Sequence, residues 1–457
     1  MGKSILSPAA RKKLAGFLES YVEGVAELQK DMKARIESDD KGNIFDGLDL
    51  AWQGAFGGKK DRNNLPVSKD TQKHLINATQ LLLDKSKLGK RVSFQHVFDV
   101  LKQELGDEFL DEELKKPSVH KTIDRSLTRL TEKVESLASH VFPVVYTMEP
   151  KQFSFSIGPL DFLDFATFEN TEVVQRALKD EVTENIWDKQ FLEAYELTKS
   201  RAKHIAVVSV SGFETDKGRE VARSAVEFFL NLLRLSFQWD PDKNPKVLDR
   251  NYTDHNAPQM VIHDGTRLSK SYGGSPSEYS FLKDGVEREV LRGFKSHVPM
   301  LCSIIDGMSR AASYDSPILQ RIEYASFLIT SAFEQRSVRI ALVNFVSSLE
   351  ALACLNDETS KRAELVERCR KVILDLDDEE QDSVAEAVEN AYRARNAVVH
   401  GDAISEDDYW VTLRALEKWM LALHLSFLGL LCHMQDKRAP KSSKRLRQAM
   451  HEHFNSG

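Results

Sequence analysis

Apolar residues recur at helical spacing from the beginning of the chain. Ser7 followed by Pro8 reads as a helix cap with proline at the first helical position, and Phe17, Tyr21, Val25 and Leu28 then keep one face apolar. Phe94, Val97, Phe98 and Leu101 predict a second helix, and Ile123, Leu127, Leu130, Val134 and Leu137 a third. The polar, glycine-bearing stretch 54–70 predicts a surface loop, in which Gly57-Gly58-Lys59-Lys60 is expected to be solvated.

The period changes near residue 141. Runs rich in β-branched and aromatic residues at Phe142–Thr147, Gln152–Ile157 and His204–Ser211, with a further one at Gln259–His263, predict strands. Between the third run and a helix expected over Glu220–Phe237 lies Gly212-Phe213-Glu214-Thr215-Asp216-Lys217-Gly218-Arg219. A strand, a glycine turn and a helix N-terminus can hold a phosphate, but Glu214 and Asp216 would repel one and the P-loop spacing is absent. An ordinary strand-to-helix connection is the expectation.

After the loop at 238–285 the pattern is helical to the end. Ser316-Pro317 opens a helix carrying Ile318, Ile322, Phe327 and Leu328, and 336–355 turns Val338, Leu342, Phe345, Val346, Leu349 and Leu352 inward. Helices over Lys361–Leu374, Glu380–Val399 and Ser405–Cys432 follow, the last with Ser405 and Asp408 as a capping pair. The fold class is therefore mainly α with a mixed α/β middle and a C-terminal antiparallel helical bundle. The divisions expected are 1–140 helical, 141–315 mixed α/β with a sensing or regulatory role, 316–435 the bundle and 436–457 a basic tail.

With 457 residues the chain is long enough for two or three cores. A net charge of −7 leaves no overall basic footprint, so contact with nucleic acid must come from local patches. The four cysteines, Cys302, Cys354, Cys369 and Cys432, lack paired zinc spacing and read as reduced core thiols of a cytoplasmic protein with no metal or other cofactor. The N-terminus has no apolar signal segment, and the apolar run Trp419–Cys432 is too short to span a membrane, so no membrane association is expected. Trp410 and Trp419 keep helical spacing and read as core.

Chemistry concentrates in Arg393-Ala394-Arg395-Asn396-Ala397-Val398-Val399-His400-Gly401. Histidine moves protons near neutral pH, and arginine neutralises charge developing on a phosphorane, so the two can run phosphodiester transfer. The Arg-x4-His spacing alone selects nothing, since it also occurs at Arg91–His96, Arg250–His255 and Arg292–His297. Only Arg395–His400 ends a long helix of the bundle, just before a helix-stopping glycine. Five residues apart on an ideal helix, the two side chains point about 140° apart and converge only if the last turn loosens. An arginine and histidine at a helix end beside an acid also make a plain cap or ion pair.

The hexad, together with Asn344-Phe345-Val346-Ser347-Ser348-Leu349-Glu350-Ala351-Leu352, resembles the HEPN superfamily, in particular its Apea-type branch, over 316–435. The resemblance implies a metal-independent endoribonuclease of anti-phage defence that cuts tRNA or mRNA; since an unrestrained ribonuclease is toxic, the large region ahead of the bundle, 1–315, is expected to sense or restrain it, with a phage-derived activator as the release. It implies a homodimer, or larger homo-oligomer, in which the motifs of two chains share a cleft. Arg395 would engage the scissile phosphate, His400 would be general acid or base, Asn396 would orient one of them, and Glu350 would hold Arg395 or His400. Asp402 stands where some HEPN proteins carry a tyrosine that a partner enzyme modifies, which argues against that subgroup. Arg393 and the basic residues Lys437, Arg438, Lys441, Lys444 and Arg445 are candidate RNA contacts, although a terminal charged segment is as readily just solvated. The alternatives are a non-catalytic RNA- or nucleotide-binding module and a helical adaptor.

Overall fold

The computed structural model describes residues 6–37, 50–51, 67–86, 88–111, 118–134, 137–145, 155–179, 195–196, 199, 202, 204–236, 239, 246–247, 259–264, 267–271, 294–314, 316–355, 361–402, 404–438 and 440–455. They are mostly helical, with a small antiparallel sheet in the middle of the chain and a two-stranded antiparallel pair nearer its start. The chain divides into two compact units, 1–136 with 212–218, and 137–211 with 219–457. Residues 141–211 and 219–315 fall in the same unit as the bundle, and 212–218 fall in the first.

The first unit contains α1 (Pro8–Glu37), β1 (Leu50–Ala51), β2 (Val67–Ser68), α2 (Lys69–Lys85), α3 (Phe94–Asp111) and α4 (Val119–Glu132). Ser7 Oγ accepts the Ala10 N–H at 3.3 Å, capping α1 as its sequence implied. Leu14, Leu18, Tyr21, Leu75, Leu101 and Ile123 are fully or almost fully buried in its core. Two expected core positions are not core: Phe94 is exposed at the start of α3, and Leu137 is exposed beyond the end of α4. The stretch 52–66, with Gly57-Gly58-Lys59-Lys60, lies outside the described residues.

The segment 212–218 settles the phosphate-loop question. Glu214 is 4 % exposed, and its carboxylate accepts backbone N–H groups from Asp216 at 2.8 Å, Lys217 at 3.2 Å and Ser93 at 3.3 Å. The anion site at that helix N-terminus is filled by the chain's own carboxylate, which also reaches the residue preceding α3. The helix itself, α7 (Thr215–Arg234), starts five residues earlier than its apolar pattern indicated.

The sheet of the second unit has β3 (Ala138–Val145), β4 (Phe155–Ile157), β5 (Leu160–Asp164), β6 (His204–Val210), β7 (Lys246–Val247), β8 (Gln259–His263) and β9 (Arg267–Ser271). Its order is β4-β5-β6-β3-β8-β9 with β7 paired to β3, every pairing antiparallel. Short helices α5 (Phe165–Glu169) and α6 (Glu172–Lys179) follow β5, and Phe165, Phe168 and Tyr195 pack with Val141, Ile205 and Met260. On the opposite face Arg219 lies 4.8 Å over the Phe142 ring, and Phe229 of α7 packs against Phe155 and Phe162. Strand β5 has no clear sequence signal because Asp161 and Asp164 interrupt its apolar positions, and β9 carries Arg267 and Lys270.

A 3-10 turn, Phe294–His297, leads to α8 (Val298–Ser309), then α9 (Pro317–Glu334), α10 (Val338–Ala353), α11 (Lys361–Val372), α12 (Asp378–His400), α13 (Glu406–Arg438) and α14 (Ser443–Asn455). The five helices from α9 to α13 match the expected boundaries to within a few residues, except that α13 extends six residues further. Asp377 and Glu380 form a capping box on α12, whose first turn carries Asp378, Glu379 and Glu380. Asp408 N–H donates to Ser405 Oγ at 3.1 Å, making the expected cap of α13. Leu413, Leu416, Leu423, Phe427 and Leu431 place α13 in the core, packed on α9 through α12. It is also the one helix among the described residues long and apolar enough to cross a membrane.

The basic tail is not an extended terminal segment. Residues 443–455 form a docked helix with Leu446, Met450 and Phe454 buried, and the Arg368 guanidinium stands 5.8 Å over the Phe454 ring. Leu446, Met450 and Phe454 recur at every fourth position of this helix, a period masked by the charged residues around them.

Candidate active site

Helix α12 carries Arg395, Asn396 and His400 on its last turns, and α10 carries Glu350. Val384, Ala387, Val388, Ala391 and Ala394 bury one face of α12, which holds Arg395 at the edge of the core. Its side chain is 25 % exposed and lies 3.7 Å from the Glu350 carboxylate, itself 19 % exposed. Arg395 Nη1 donates to Asn396 Oδ1 at 2.9 Å, and the guanidinium stands 5.6 Å over the Tyr392 ring. Its Nε is buried with no hydrogen-bond partner among the described residues. The acid, the arginine and the asparagine are therefore brought together.

Tyr392, one turn before Asn396, belongs to the same cluster. It is 6 % exposed, and burial, reinforced by the Glu350 carboxylate, raises its hydroxyl above the usual tyrosine range, opposed by Arg395. The signal in the sequence was its i, i+3 spacing to Arg395.

His400 is not part of the cluster. The α-helix continues through His400 and then closes on Gly401 at φ 79°, with the Gly401 and Asp402 N–H groups both reaching the Ala397 carbonyl. The last turn is held by this motif and does not loosen. Arg395 and His400 stay about 140° apart around the axis, so one chain cannot aim both at a single phosphate. His400 is exposed beside Val399, itself 56 % exposed.

The other candidate RNA contacts are scattered. Arg393 points outward and pairs with Glu389 at 2.9 Å, and Glu389 also holds Arg362. Lys437, Lys441, Lys444 and Arg445 are exposed, and the Arg438 side chain lies outside the described residues. They stand at the far end of α13 from His400, roughly 45 Å along its axis. Trp410 is half-buried and packs on Trp239, with ring centroids 5.3 Å apart.

Of the three rival hexads, Arg91–His96 ends inside α3, where His96 is half-buried, and His297 stands just before α8, its ring 3.1 Å from Ser296 Oγ. Arg292 and the hexad Arg250–His255 lie outside the described residues. The cysteines are free thiols; burial pushes Cys354 and Cys432 up to about 11 and Cys369 higher still.

No family model, curated protein or solved structure matches the chain.

Proposed function

We propose that this chain is a HEPN-type endoribonuclease, cytoplasmic and active in anti-phage defence, whose cleavage site is shared between two copies of the bundle. The observation that carries the reading is the cluster of Glu350, Tyr392, Arg395 and Asn396 beside an exposed His400 on the same helix. Arg395 is held by a carboxylate and an aromatic ring with part of its guanidinium open, which suits it to a phosphate. His400 projects from the bundle, where a two-fold neighbour can present it to the other chain's Arg395.

In this mechanism the ribose 2′-hydroxyl attacks the adjacent phosphorus and the P–O5′ bond breaks, leaving a 2′,3′-cyclic phosphate and a 5′-hydroxyl. His400 takes the 2′ proton or gives one to the leaving oxygen, and Arg395 neutralises the pentacoordinate phosphate. Residues 1–315 would restrain the bundle until a phage-derived trigger acts, and Lys437, Lys441, Lys444 and Arg445 would contact the backbone of a tRNA or mRNA away from the cut.

The test mixes two inactive variants. Arg395→Ala and His400→Ala should each abolish RNA cleavage, and together they should restore it, because a mixed dimer rebuilds one complete site. Failure of the mixture while wild type cleaves would place the site in one chain, and full activity of either variant alone would remove the assignment. The roughly 140° divergence favours one alternative, a non-catalytic RNA-binding module. Binding of RNA without its loss would support that.

A further inference from the structure

A second surface is built from the end of α13, helix α14 and the neighbouring stretch of α9, all within the second unit. Between Lys437 and His451 the chain has six lysines and arginines and no aspartate or glutamate. Lys437, Lys441, Lys444 and Arg445 are exposed and make no ion pair among the described residues. Elsewhere in the bundle Arg362 and Arg393 pair with Glu389, Arg370 with Asp382, Lys371 with Glu367 and Arg414 with Glu417. Carboxylates within reach quench those charges. At the α13–α14 corner the cations face solvent instead, and on a chain of net charge −7 they make a local basic patch.

The patch adjoins two exposed aromatic rings. Ser316 Oγ, at the start of α9, donates to Gln435 Oε1 at 3.0 Å, two residues before Lys437. Helix α14 also packs on α9 and turns Leu446, Met450 and Phe454 inward, which leaves its cations outside. From Ser316, Tyr324 and Phe327 follow about 12 and 16 Å along α9. They are 53 % and 55 % exposed, more than any other aromatic side chain among the described residues, on a helix whose other face is core. Two such rings left in water one turn apart mark a surface for a ligand. The nearby carboxylates have partners of their own: Glu227 pairs with Arg234 at 2.7 Å, and Glu323 accepts the Tyr314 hydroxyl at 2.9 Å.

We propose that this surface binds a single strand of RNA, with phosphates on Lys437, Lys441, Lys444 and Arg445 and bases stacked on Tyr324 and Phe327. Every base has a π-face, so aromatic rings hold a strand whatever its sequence, while cations along the same path hold its phosphates. A duplex keeps its base faces inside its own stack and can use the cations alone. The distance from cations to rings lies within a single-stranded site of roughly 4–16 nucleotides. The choice of RNA rests on the ribonuclease reading, under which this surface holds the strand away from the cut; the binding itself does not need cleavage.

The experiment is fluorescence anisotropy of a labelled oligouridylate of about 20 nucleotides with the full-length His400→Ala chain, which reads binding without cleavage and so separates this proposal from the catalytic one. Saturable binding is expected, weakened at least about fivefold by Tyr324→Ala and by Phe327→Ala with its salt dependence unchanged. Tyr324→Phe keeps the ring and should bind like its parent. Lys444→Ala combined with Arg445→Ala should instead lower the slope of log Kd against log salt by about 1.4. An RNA duplex of the same length should bind more weakly than the strand. Both rings are more than half exposed, and unchanged melting temperatures would show that the variants fold. No saturable binding at micromolar protein, binding untouched by both aromatic substitutions, an unchanged salt slope in the double variant, or a duplex bound more tightly than the strand would overturn the proposal. Tighter binding of oligothymidylate than of oligouridylate would overturn the choice of RNA.

Discussion

Acid should destabilise the second unit well above the pH at which its carboxylates protonate, through two buried histidines. His140 on β3 is 0 % exposed, and neither ring nitrogen has a hydrogen-bond partner among the described residues. Burial first, then Arg219 across the sheet face and His263 on β8, lowers it to about 3. His424 on α13 is 2 % exposed between Ser348 and the Met420 carbonyl, and burial lowers it to about 4 despite that carbonyl. The sign follows from proton counting: between the unfolded value of about 6.5 and these folded values the unfolded chain binds more protons, so stability falls as pH falls. The loss begins near pH 6.5 and levels off below the folded values.

At about 1.4 kcal/mol per proton per pH unit, each histidine costs about 2 kcal/mol by pH 5, or about 4 together, a large share of a domain's stability. Urea unfolding followed by circular dichroism at about pH 7.5, 6 and 5 measures this directly. His140→Leu removes one proton site and two unpaired nitrogens, so its loss between pH 7.5 and 5 should be about half that of wild type. Equal pH dependence in both proteins, or none in wild type, would refute the reasoning.

Three further outcomes are expected. Glu214→Ala leaves three backbone N–H groups without an acceptor and should cost about 1–3 kcal/mol in urea unfolding; a change under about 0.5 would contradict the double cap. Tyr392→Phe keeps the ring under Arg395 and should lower RNA cleavage several-fold without lowering the melting temperature, whereas unaltered cleavage would make the hydroxyl a bystander. Replacing both Arg250 and His255 should leave cleavage within a few-fold of wild type, and a loss as deep as that of His400→Ala would move the site there.

How much of this was legible in the sequence varied with the element. Helices with full amphipathic stripes, such as α10 and α12, could be read almost to the residue because burial enforces their period. Strands β5 and β9 could not, since their acidic and basic positions are tolerated by pairing that local sequence does not encode. The docking of α14 was hidden by its charge, although Leu446, Met450 and Phe454 were present at helical spacing. At the site, the resemblance left Glu350 to hold either Arg395 or His400 and the structure pairs it with Arg395, while the Gly401 closure that keeps His400 apart is a backbone property. Tyr392 went unread because a tyrosine inside an apolar stripe looks like core.

The ribonuclease reading is tested most directly by incubating the full-length chain with a labelled RNA in EDTA, with and without extract of phage-infected cells, and determining the product ends. Cleavage to 2′,3′-cyclic phosphate ends is expected, blocked by a 2′-O-methyl group at the cut and absent with His400→Ala. No cleavage under either condition, efficient cutting of DNA, or EDTA inhibition reversed by Mg²⁺ would contradict it.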